Sequence, residues 1–412
     1  MSAVPAPLSA TAAGRLHSLD ALRAIALLLG VVLHASLAFV PSPVIPIWIV
    51  ADNQPTPVMA VAFFFIHLFR MAAFFLIAGY FAHLLLERRG TWGFVKNRTI
   101  RIAAPLSIFW TPVLMGIIAC LLWAVWIKNG YSFPPGPPPP PITVATFPWT
   151  HLWFLWVLLL FYAGLLIGRG LIGALDPKGR LAAGADRAMR LLVAPWGLPL
   201  VAAPLALVLY LKADWFMWFG VPTPDTGLFP NLAATVAYGI AFLIGYLIRR
   251  NSEALLGQIR RHWAIYALLA SGLGIASLFL AGGPVPNLLV PPVQSVTNAA
   301  IYAFAVYAAA FAALGLTLRF LGRERPVLRY LSDASYWIYL IHLPVVMALQ
   351  VLVHDLGWPW PVKLAAILGG TVVATVGTYE LLIRHSFMGR WLNGRKVPWR
   401  RRAAPAPLTA SA

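Results

Sequence analysis

The sequence predicts an all-α polytopic membrane protein, a bundle of about ten transmembrane helices with the N- and C-termini in the cytoplasm. Hydrophobic residues make up 60% of the 412 residues, charged residues only 10%, and the mean hydropathy is +0.79. Soluble domains have roughly 45–50% apolar and about 25% charged residues, so this composition indicates a chain that lies in a bilayer. The alternation of basic and non-basic connections predicts the orientation of each helix.

Apolar runs recur along the whole chain. Each is close in length to the ~20 residues that a helix needs to span ~30 Å of hydrocarbon. They lie at about 19–40, 57–85, 102–127, 150–170, 191–212, 231–248, 263–281, 296–318, 331–353 and 361–383. We therefore predict one transmembrane domain at 17–385. A disordered cytoplasmic N-terminus at 1–16 precedes it, and a basic cytoplasmic tail at 386–412 follows it.

Basic residues occupy the two termini and the connections that follow the second, fourth, sixth and eighth predicted spans. The other connections hold only Lys128, Lys212 and Lys363, and Arg70 alone lies deep within a span. This is the positive-inside pattern, which explains the net charge of +19. Because the charge is not gathered on one folded domain, we predict no nucleic-acid partner; the bilayer itself is the partner.

Arg23 and His34 lie on one face of the first predicted helix. Eleven residues turn a helix by about 20° beyond three full turns and raise it by roughly 16 Å. A cation at the cytoplasmic edge therefore lies below an imidazole near the middle of the membrane. Asp20, three residues before Arg23, is predicted to support it structurally by neutralising its charge.

Inserting a charged side chain at the centre of a membrane span costs about 2.5–3.5 kcal/mol or more of free energy. The ionisable residues that lie within the predicted spans therefore need an explanation. His67 and Arg70 share a face of the second span, and His342 has a similar depth in the ninth. We predict catalytic roles for them; the alternative is that these histidines only bridge helices. Glu380, near the inner end of the last span, is predicted to support an arginine of a neighbouring helix.

Arg98 and Arg101, with Lys96, lie at the inner mouth of the third span and form a candidate phosphate site. The alternative is that they only follow the positive-inside rule. Near the outer face, His151 and Trp153 are candidate substrate-binding residues that stack on sugars. The tryptophans of this region, Trp149, Trp153, Trp156, Trp215 and Trp218, are more simply interpreted as an interfacial aromatic belt.

No metal site and no tightly bound cofactor is expected. The single cysteine, Cys120, rules out both a disulfide framework and a CxxC metal site. A transporter also carries intramembrane His, Arg and Glu residues. However, the polar residues here join an inner arginine group to mid-membrane histidines, and no inverted repeat is evident, so an enzyme is the favoured prediction.

Several of these segments resemble, in order, acyltransferase family 3 of multi-pass membrane proteins, and within it the branch that succinylates periplasmic glucans. The matching segments are LDALRAIALLLGVVLH, FFFIHLFRMAAFFLIAGYF, FVKNRTIRIAAPL, HLWFLWVLLLFY, SYWIYLIHLPVV and YELLIR. The resemblance covers nearly the whole chain. Arg23 and His34 match the family's pattern of an arginine, ten residues and a histidine.

The resemblance implies a bacterial inner-membrane O-acyltransferase that moves an acyl group, succinyl in this branch, from cytoplasmic acyl-CoA to hydroxyls of a periplasmic glucan or related glycan. It implies His34 as general base and Arg23, Arg98 and Arg101 as donor-side residues; His67, Arg70 or His342 would stabilise the oxyanion. An O-acetyltransferase that uses acetyl-CoA on an exopolysaccharide or lipid-linked glycan is the main alternative, and a transporter of glycan or lipid is the second. Whether the protein is a homodimer stays open.

Overall fold

The structure is a computed structural model that describes residues 10–42, 47–133, 141–289 and 291–393. These ranges are helical, and their one β contact is a bridge between Pro148 and Thr226. The helices are α1 Ala10–Ser36, α2 Pro57–Arg98, α3 Ala104–Lys128, α4 Trp153–Leu175, α5 Arg180–Leu192, α6 Leu198–Leu211, α7 Leu232–Arg250, α8 Ser252–Arg261, α9 Trp263–Leu280, α10 Val296–Phe320, α11 Pro326–Val353, α12 Trp360–Thr378 and α13 Phe387–Asn393. Two π-helical segments, Thr99–Ala103 and Tyr379–Arg384, follow α2 and α12.

Eight helical segments of the described ranges are long and apolar enough to cross a membrane, or nine if the bent pair α5 and α6 counts as one span. One of them, Pro57–Lys128, has 72 residues, which is about 108 Å of helix. It breaks at Gly90, where φ is 65° and ψ is −178°. Ile117 after the break lines the same cavity as His67 before it, although a straight helix would separate them by about 75 Å. This segment therefore reverses after Gly90 and contains two apolar helices, α2 and α3, each long enough to cross a bilayer.

The fifth predicted span, 191–212, is wrong at its beginning. Leu191 and Leu192 end α5, and α5 and α6 are bent by 106° with respect to each other. Pro195, which has no N–H to donate, follows the end of α5, and a Cβ at Gly197 would collide with the Leu191 carbonyl group. The apolar pattern continues through this break, because residues on both sides of it are hydrophobic, so hydropathy alone does not reveal the bend.

The centre of the bundle is formed by α1, α2, α7, α10 and α11, which carry most of the fully buried side chains. The close contact between α2 and α7 depends on two glycines. A Cβ at Gly79 would meet the Phe242 carbonyl oxygen, and one at Gly245 would meet that of Leu76. Small residues let membrane helices approach closely, where van der Waals packing holds them together.

The two ends of the bundle have different chemistry. The end that carries Arg23, Arg89, Arg98 and Arg101 is called the basic end; there, Arg249 of α7 lies 2.7 Å from Glu87 of α2. The opposite end, called the far end, carries Asp52 and Lys363. Which membrane face each end occupies stays a prediction.

The predicted terminal segments lie partly outside the described residues. Residues 1–9 and 394–412 are not described, whereas residues 10–16 already form the first turns of α1. The helix therefore begins before the predicted boundary at residue 16. In the predicted tail, Phe387–Asn393 forms α13, and Leu392 packs back into the core.

Candidate active site

One large cavity, called the main cavity, has a volume of about 950 Å³ and extends through the bundle. Residues of the continuous helix α2 from Phe63 to Arg89 line it. That stretch of helix is about 39 Å long, which exceeds the roughly 30 Å of a bilayer's hydrocarbon core. The main cavity therefore connects the basic end to the far end.

Arg23 projects from α1 into the basic end of the main cavity and contacts α11. Its Nη2 atom donates to the Ser332 hydroxyl over 2.5 Å and to the Ser332 carbonyl oxygen over 3.3 Å. Asp20 lies 3.5 Å from the same nitrogen, in the i,i+3 arrangement that the sequence predicts. Because α1 is continuous from Ala10 to Ser36, the predicted rise from Arg23 to His34 holds.

Arg98 and Arg101 line the same end of the main cavity. The Arg98 guanidinium lies over two aromatic rings, 4.8 Å from the centroid of Tyr162 and 5.3 Å from that of Phe94. Lys96 is exposed and does not line the cavity. Arg88, Arg89 and Asn97 also line it; in the sequence nothing separates them from ordinary positive-inside residues.

Three histidines from three different helical segments lie next to one another at mid-depth. The ring centroids of His34 and His342 are 5.4 Å apart, and those of His342 and His151 are 5.1 Å apart. The sequence predicts a shared depth for His34 and His342. It does not predict that His151 joins them, because His151 follows a long connection whose path no periodicity fixes.

The hydrogen bonds of His342 and His151 fix their neutral tautomers. His342 Nδ1 donates to the Tyr339 carbonyl oxygen over 2.8 Å, and His151 Nε2 donates to the carbonyl oxygens of Tyr339 and Leu340 over 3.1 and 3.2 Å. A carbonyl oxygen only accepts, so the other ring nitrogen of each neutral histidine carries a lone pair. Those two nitrogens, His342 Nε2 and His151 Nδ1, are buried and have no partner in the part of the chain that the structure describes.

His67 and Arg70 of α2 complete this group, and His34, His67, Arg70, His151 and His342 are together called the mid-cavity cluster. His67 Nε2 donates to the Val221 carbonyl oxygen over 3.4 Å. Arg70 crosses towards α1 at Gly30, where an added Cβ would collide with its guanidinium group. No carboxylate of the described residues forms a salt bridge with Arg70, and its Nε atom is buried without a partner.

Gln350 of α11 holds the end of α1 that carries His34. It is fully buried, and its amide nitrogen donates to the carbonyl oxygens of His34 and Ala35 over 3.0 and 3.2 Å. Its amide oxygen accepts from the Trp48 indole over 2.7 Å, and Trp48 stacks on His34 with 6.0 Å between centroids. The position of the His34 ring therefore depends on a residue more than 300 positions later in the chain.

Two connections pair at the far end and cover the main cavity there. Gly227 donates to the Phe147 carbonyl oxygen over 2.9 Å, and the Thr150 N–H donates to that of Asp225 over 3.1 Å. This pairing holds Thr150 at φ 52°, an unusual conformation for a β-branched residue. Thr150 and Asp225 both line the main cavity, and partial burial raises the pKa of the Asp225 carboxyl group.

Polar atoms without partners are concentrated on the walls of the main cavity. Most of the buried side-chain nitrogen and oxygen atoms in the described ranges that lack a hydrogen bond belong to residues lining it. They are Arg23 Nε, His34 Nδ1, Arg70 Nε, Arg98 Nε, Thr150 Oγ1, His151 Nδ1, Tyr336 OH and His342 Nε2. An unsatisfied buried polar group costs about 1–3 kcal/mol, so this distribution favours a polar ligand along the cavity.

Two sequence-based interpretations are wrong. Trp149, Trp153, Trp215 and Trp218 are buried in the protein, with at most 7% exposure, and do not form an interfacial belt. Trp149, Trp215 and Trp218 lie within the paired connections at the far end, where the Trp149 indole donates to the Gly227 carbonyl oxygen over 2.9 Å. Trp153 packs against Phe75 and Tyr238 and lines the main cavity.

The second concerns Glu380. Its arginine partner is Arg384, four residues later on the same helical segment, at 2.7 Å, and not an arginine of a neighbouring helix. The neighbouring helix α11 supplies the Tyr330 hydroxyl, which donates to Glu380 over 2.9 Å. Glu380 therefore joins α11 to the end of α12 and supports the fold outside the main cavity.

The arrangement is suited to group transfer between two ligands. Guanidinium groups at the basic end can bind phosphates in bidentate fashion. Imidazole lone pairs at mid-depth can take a proton from a hydroxyl group. In the described ranges, no group of three or more His, Cys, Asp or Glu side chains is placed to hold a metal ion.

Comparison with known proteins identifies the family. The family described as "Acyltransferase domain" matches residues 16–380, nearly the whole chain. Glucans biosynthesis protein C of Salmonella paratyphi B and that of Salmonella heidelberg are each 38% identical over 108 residues, and that of Salmonella schwarzengrund is 36% identical over 106 residues. Each alignment covers 26% of this chain and 25% of the relative, so the similarity spans about a quarter of the relatives' length.

No solved structure matches this chain. The family match nevertheless includes both ends of the main cavity and all five residues of the mid-cavity cluster. The protein therefore belongs to acyltransferase family 3, and its long apolar helices are those of a multi-pass membrane protein.

Proposed function

We propose that the protein transfers a succinyl group from cytoplasmic succinyl-CoA, bound at the basic end, to a hydroxyl of a periplasmic glucan or related glycan at the far end. The observation that carries the proposal is the main cavity, which joins an arginine group to a histidine group and continues to the opposite end. Its proposed location is the bacterial inner membrane, where the donor and the acceptor are on opposite sides.

The donor's phosphates would bind to Arg23, Arg98 and Arg101, with Arg89 beside them. These side chains line one end of the main cavity, and Arg23 Nε and Arg98 Nε lack partners within the described residues. The long arm of coenzyme A would then carry the thioester towards the mid-cavity cluster. Lys96, exposed and outside the cavity, would contribute only long-range charge.

Arg70 favours a dicarboxylic acyl group over acetyl. Its guanidinium group borders the cavity without a carboxylate partner among the described residues. The free carboxylate of a succinyl group would supply that partner through charge-assisted hydrogen bonds. An acetyl group would leave the guanidinium unpaired, so Arg70 is proposed to select the acyl group.

In the transfer step, the acceptor oxygen attacks the thioester carbonyl while His34 removes the hydroxyl proton. A C–O bond forms, the C–S bond breaks, and the proton passes to the thiolate, giving the ester and free coenzyme A. His342, with a lone pair on Nε2 and its ring beside His34, is suited to accept or relay that proton. Arg70, which has five N–H donors, is also the proposed donor to the oxyanion, whereas the single N–H of neutral His67 is already donated to the Val221 carbonyl oxygen.

The acceptor would reach the mid-cavity cluster from the far end. Trp48 and Trp153 line the main cavity as aromatic surfaces, and Thr150 and Asp225 add a hydroxyl and a carboxyl group that can bond sugar hydroxyls. His151, first predicted to stack on sugar, is assigned here to the proton-accepting group because its Nδ1 lacks a partner. A glucan acceptor is proposed from the name that the relatives carry.

The test is transfer from labelled succinyl-CoA or acetyl-CoA to glucan by protein in proteoliposomes. We expect succinyl transfer by the wild type and a loss of about 10²–10⁴-fold in His34→Ala. His17→Ala, which alters the same helix outside the main cavity, is the matched control and should retain activity.

Other outcomes would contradict the proposal. A preference for acetyl-CoA would indicate the O-acetyltransferase alternative. Movement of glycan across the membrane by a folded sample without transfer from either donor would indicate a transporter.

A further inference from the structure

A second cavity, called the lateral cavity, lies at the basic end outside the main cavity. It has a volume of about 790 Å³ and lies between α8, the beginning of α9, the end of α10 and the segment before α6. α8 directly follows α7, whose Arg249 pairs with Glu87 beside the basic end of the main cavity. The two cavities share no lining residue, so acyl transfer does not account for the lateral cavity.

The wall of the lateral cavity is strongly basic. Arg260, Arg261 and Arg319 line it, and no lining residue is acidic. None of the three arginines forms a salt bridge with another described residue. His262, also on the wall, has a buried Nδ1 atom to which no described residue forms a hydrogen bond. Three unpaired guanidinium groups around one space favour an anionic group, and phosphate matches their donor geometry.

Aromatic and apolar residues around the lateral cavity indicate its depth. Trp196 and Trp263 line it, as tryptophans do at the headgroup level of a bilayer. Trp263 is held by an edge-to-face contact with Phe320, at 5.3 Å between centroids. Next to it, Leu268 of α9 and Phe320 of α10 are 75% and 55% exposed, as lipid-facing side chains are. An occupant with a phosphate in the cavity would thus have hydrocarbon beside it.

We infer that the lateral cavity binds the phosphodiester headgroup of an anionic phospholipid, with its acyl chains along the exposed faces of α9 and α10. Basic pockets between transmembrane helices bind such headgroups. The depth and the adjoining apolar surface distinguish this ligand from a soluble phosphate.

The experiment is native mass spectrometry of the detergent-purified protein with phosphatidylglycerol or phosphatidylcholine. The wild type should retain phosphatidylglycerol preferentially. The triple variant Arg260→Gln/Arg261→Gln/Arg319→Gln should lose that retention by about tenfold or more. A second variant, Gly257→Leu, fills the cavity without altering its charge, because nothing lies within 4 Å of an added Cβ there, and it should lose retention as well.

The matched control is Arg180→Gln/Arg323→Gln/Arg325→Gln, which removes the same charge from exposed positions outside the lateral cavity. It should bind like the wild type, with melting temperatures verifying the fold of every variant. Equal losses in both triple variants would overturn the inference, because diffuse charge would then explain the binding. Displacement of the lipid by millimolar inorganic phosphate, or equal retention of the two lipids, would also overturn it.

Discussion

Two groups of buried polar side chains in this bundle differ in whether the protein supplies their partners. At the far end, Lys363 is completely buried and donates to Asp52 and to the His354 carbonyl oxygen, each over 2.9 Å, and to Asn53 over 2.5 Å. In the mid-cavity cluster, nitrogens of His34, Arg70, His151 and His342 have no partner among the described residues. The first group is complete without a ligand, and the second is complete only with one.

Whether the protein itself satisfies a buried polar group distinguishes polar residues that stabilise the fold from polar residues that are suited to bind a ligand. Lys363 and Asp52 join α12 to the connection that carries Trp48, and their ammonium and carboxylate groups are both satisfied. The mid-cavity cluster contains buried hydrogen-bonding atoms that no described residue satisfies, which is unfavourable unless a ligand uses them. The two groups should therefore respond to substitution in opposite ways.

The largest effect is expected at the far end, on stability. Lys363→Met leaves the buried Asp52 carboxylate without its partner, which should lower the free energy of unfolding by about 3–5 kcal/mol. Thermal unfolding in detergent measures it. The double variant Asp52→Leu/Lys363→Met should recover much of the loss. An unchanged melting temperature in the single variant would show that the Lys363–Asp52 pair does not stabilise the fold.

The next effect is expected in the mid-cavity cluster, on activity. Arg70→Met should reduce transfer of both acyl groups, because the oxyanion loses a donor, and should reduce succinyl transfer by about a further 10²-fold, because the acyl carboxylate also loses its partner. The melting temperature should stay equal or rise, since an unpaired buried charge is removed. Gly30→Ala, which displaces the guanidinium group, should change activity in the same direction. Equal losses with both donors would disprove acyl-group selection by Arg70.

A smaller effect is expected at the basic end, on donor affinity. Arg98→Gln/Arg101→Gln should weaken binding of coenzyme A about tenfold and reduce its dependence on salt, because charge-assisted phosphate contacts are lost. Titration calorimetry at two ionic strengths measures both quantities. Lys96→Gln, an exposed neighbour outside the main cavity, is the control. A decrease of the same size in the control would indicate a general charge effect.

The smallest effect concerns Asp225 and pH. Because partial burial raises the pKa of this carboxyl group above its ordinary value, the folded protein binds its proton more tightly than the unfolded chain does. Stability should therefore fall slightly as pH rises from the ordinary pKa through the raised one. Asp225→Asn should remove that decrease in a series of melting temperatures against pH. A profile identical to that of the wild type would show that Asp225 is fully hydrated.

The sequence predicts those features that follow from the rise and rotation per residue of a single helix. Arg23 and His34 lie where eleven residues of one helix place them, and His67 and Arg70 share a wall of the main cavity as their spacing requires. The bend between α5 and α6 is missed, because the residues on both sides of it are apolar. The long apolar helices are predicted because length and hydrophobicity determine them.

Features that depend on distant parts of the chain are not predictable in this way. Thr150 enters the main cavity because its connection pairs with the one around Asp225, and Gln350 reaches His34 from another helix. His151 lies beside His342, and Trp153 is buried, for the same reason. Periodicity describes one element at a time and contains no information on which connections meet.

The most direct test of the account is a transfer assay with donor and acceptor on opposite sides of a membrane. Protein is reconstituted in one orientation into vesicles that contain glucan, with its basic end outwards, and labelled succinyl-CoA is added outside. If the mid-cavity cluster is where the two substrates meet, wild-type protein should label the enclosed glucan, and His34→Ala should not. Labelling only when donor and acceptor share one side would contradict transfer through the main cavity.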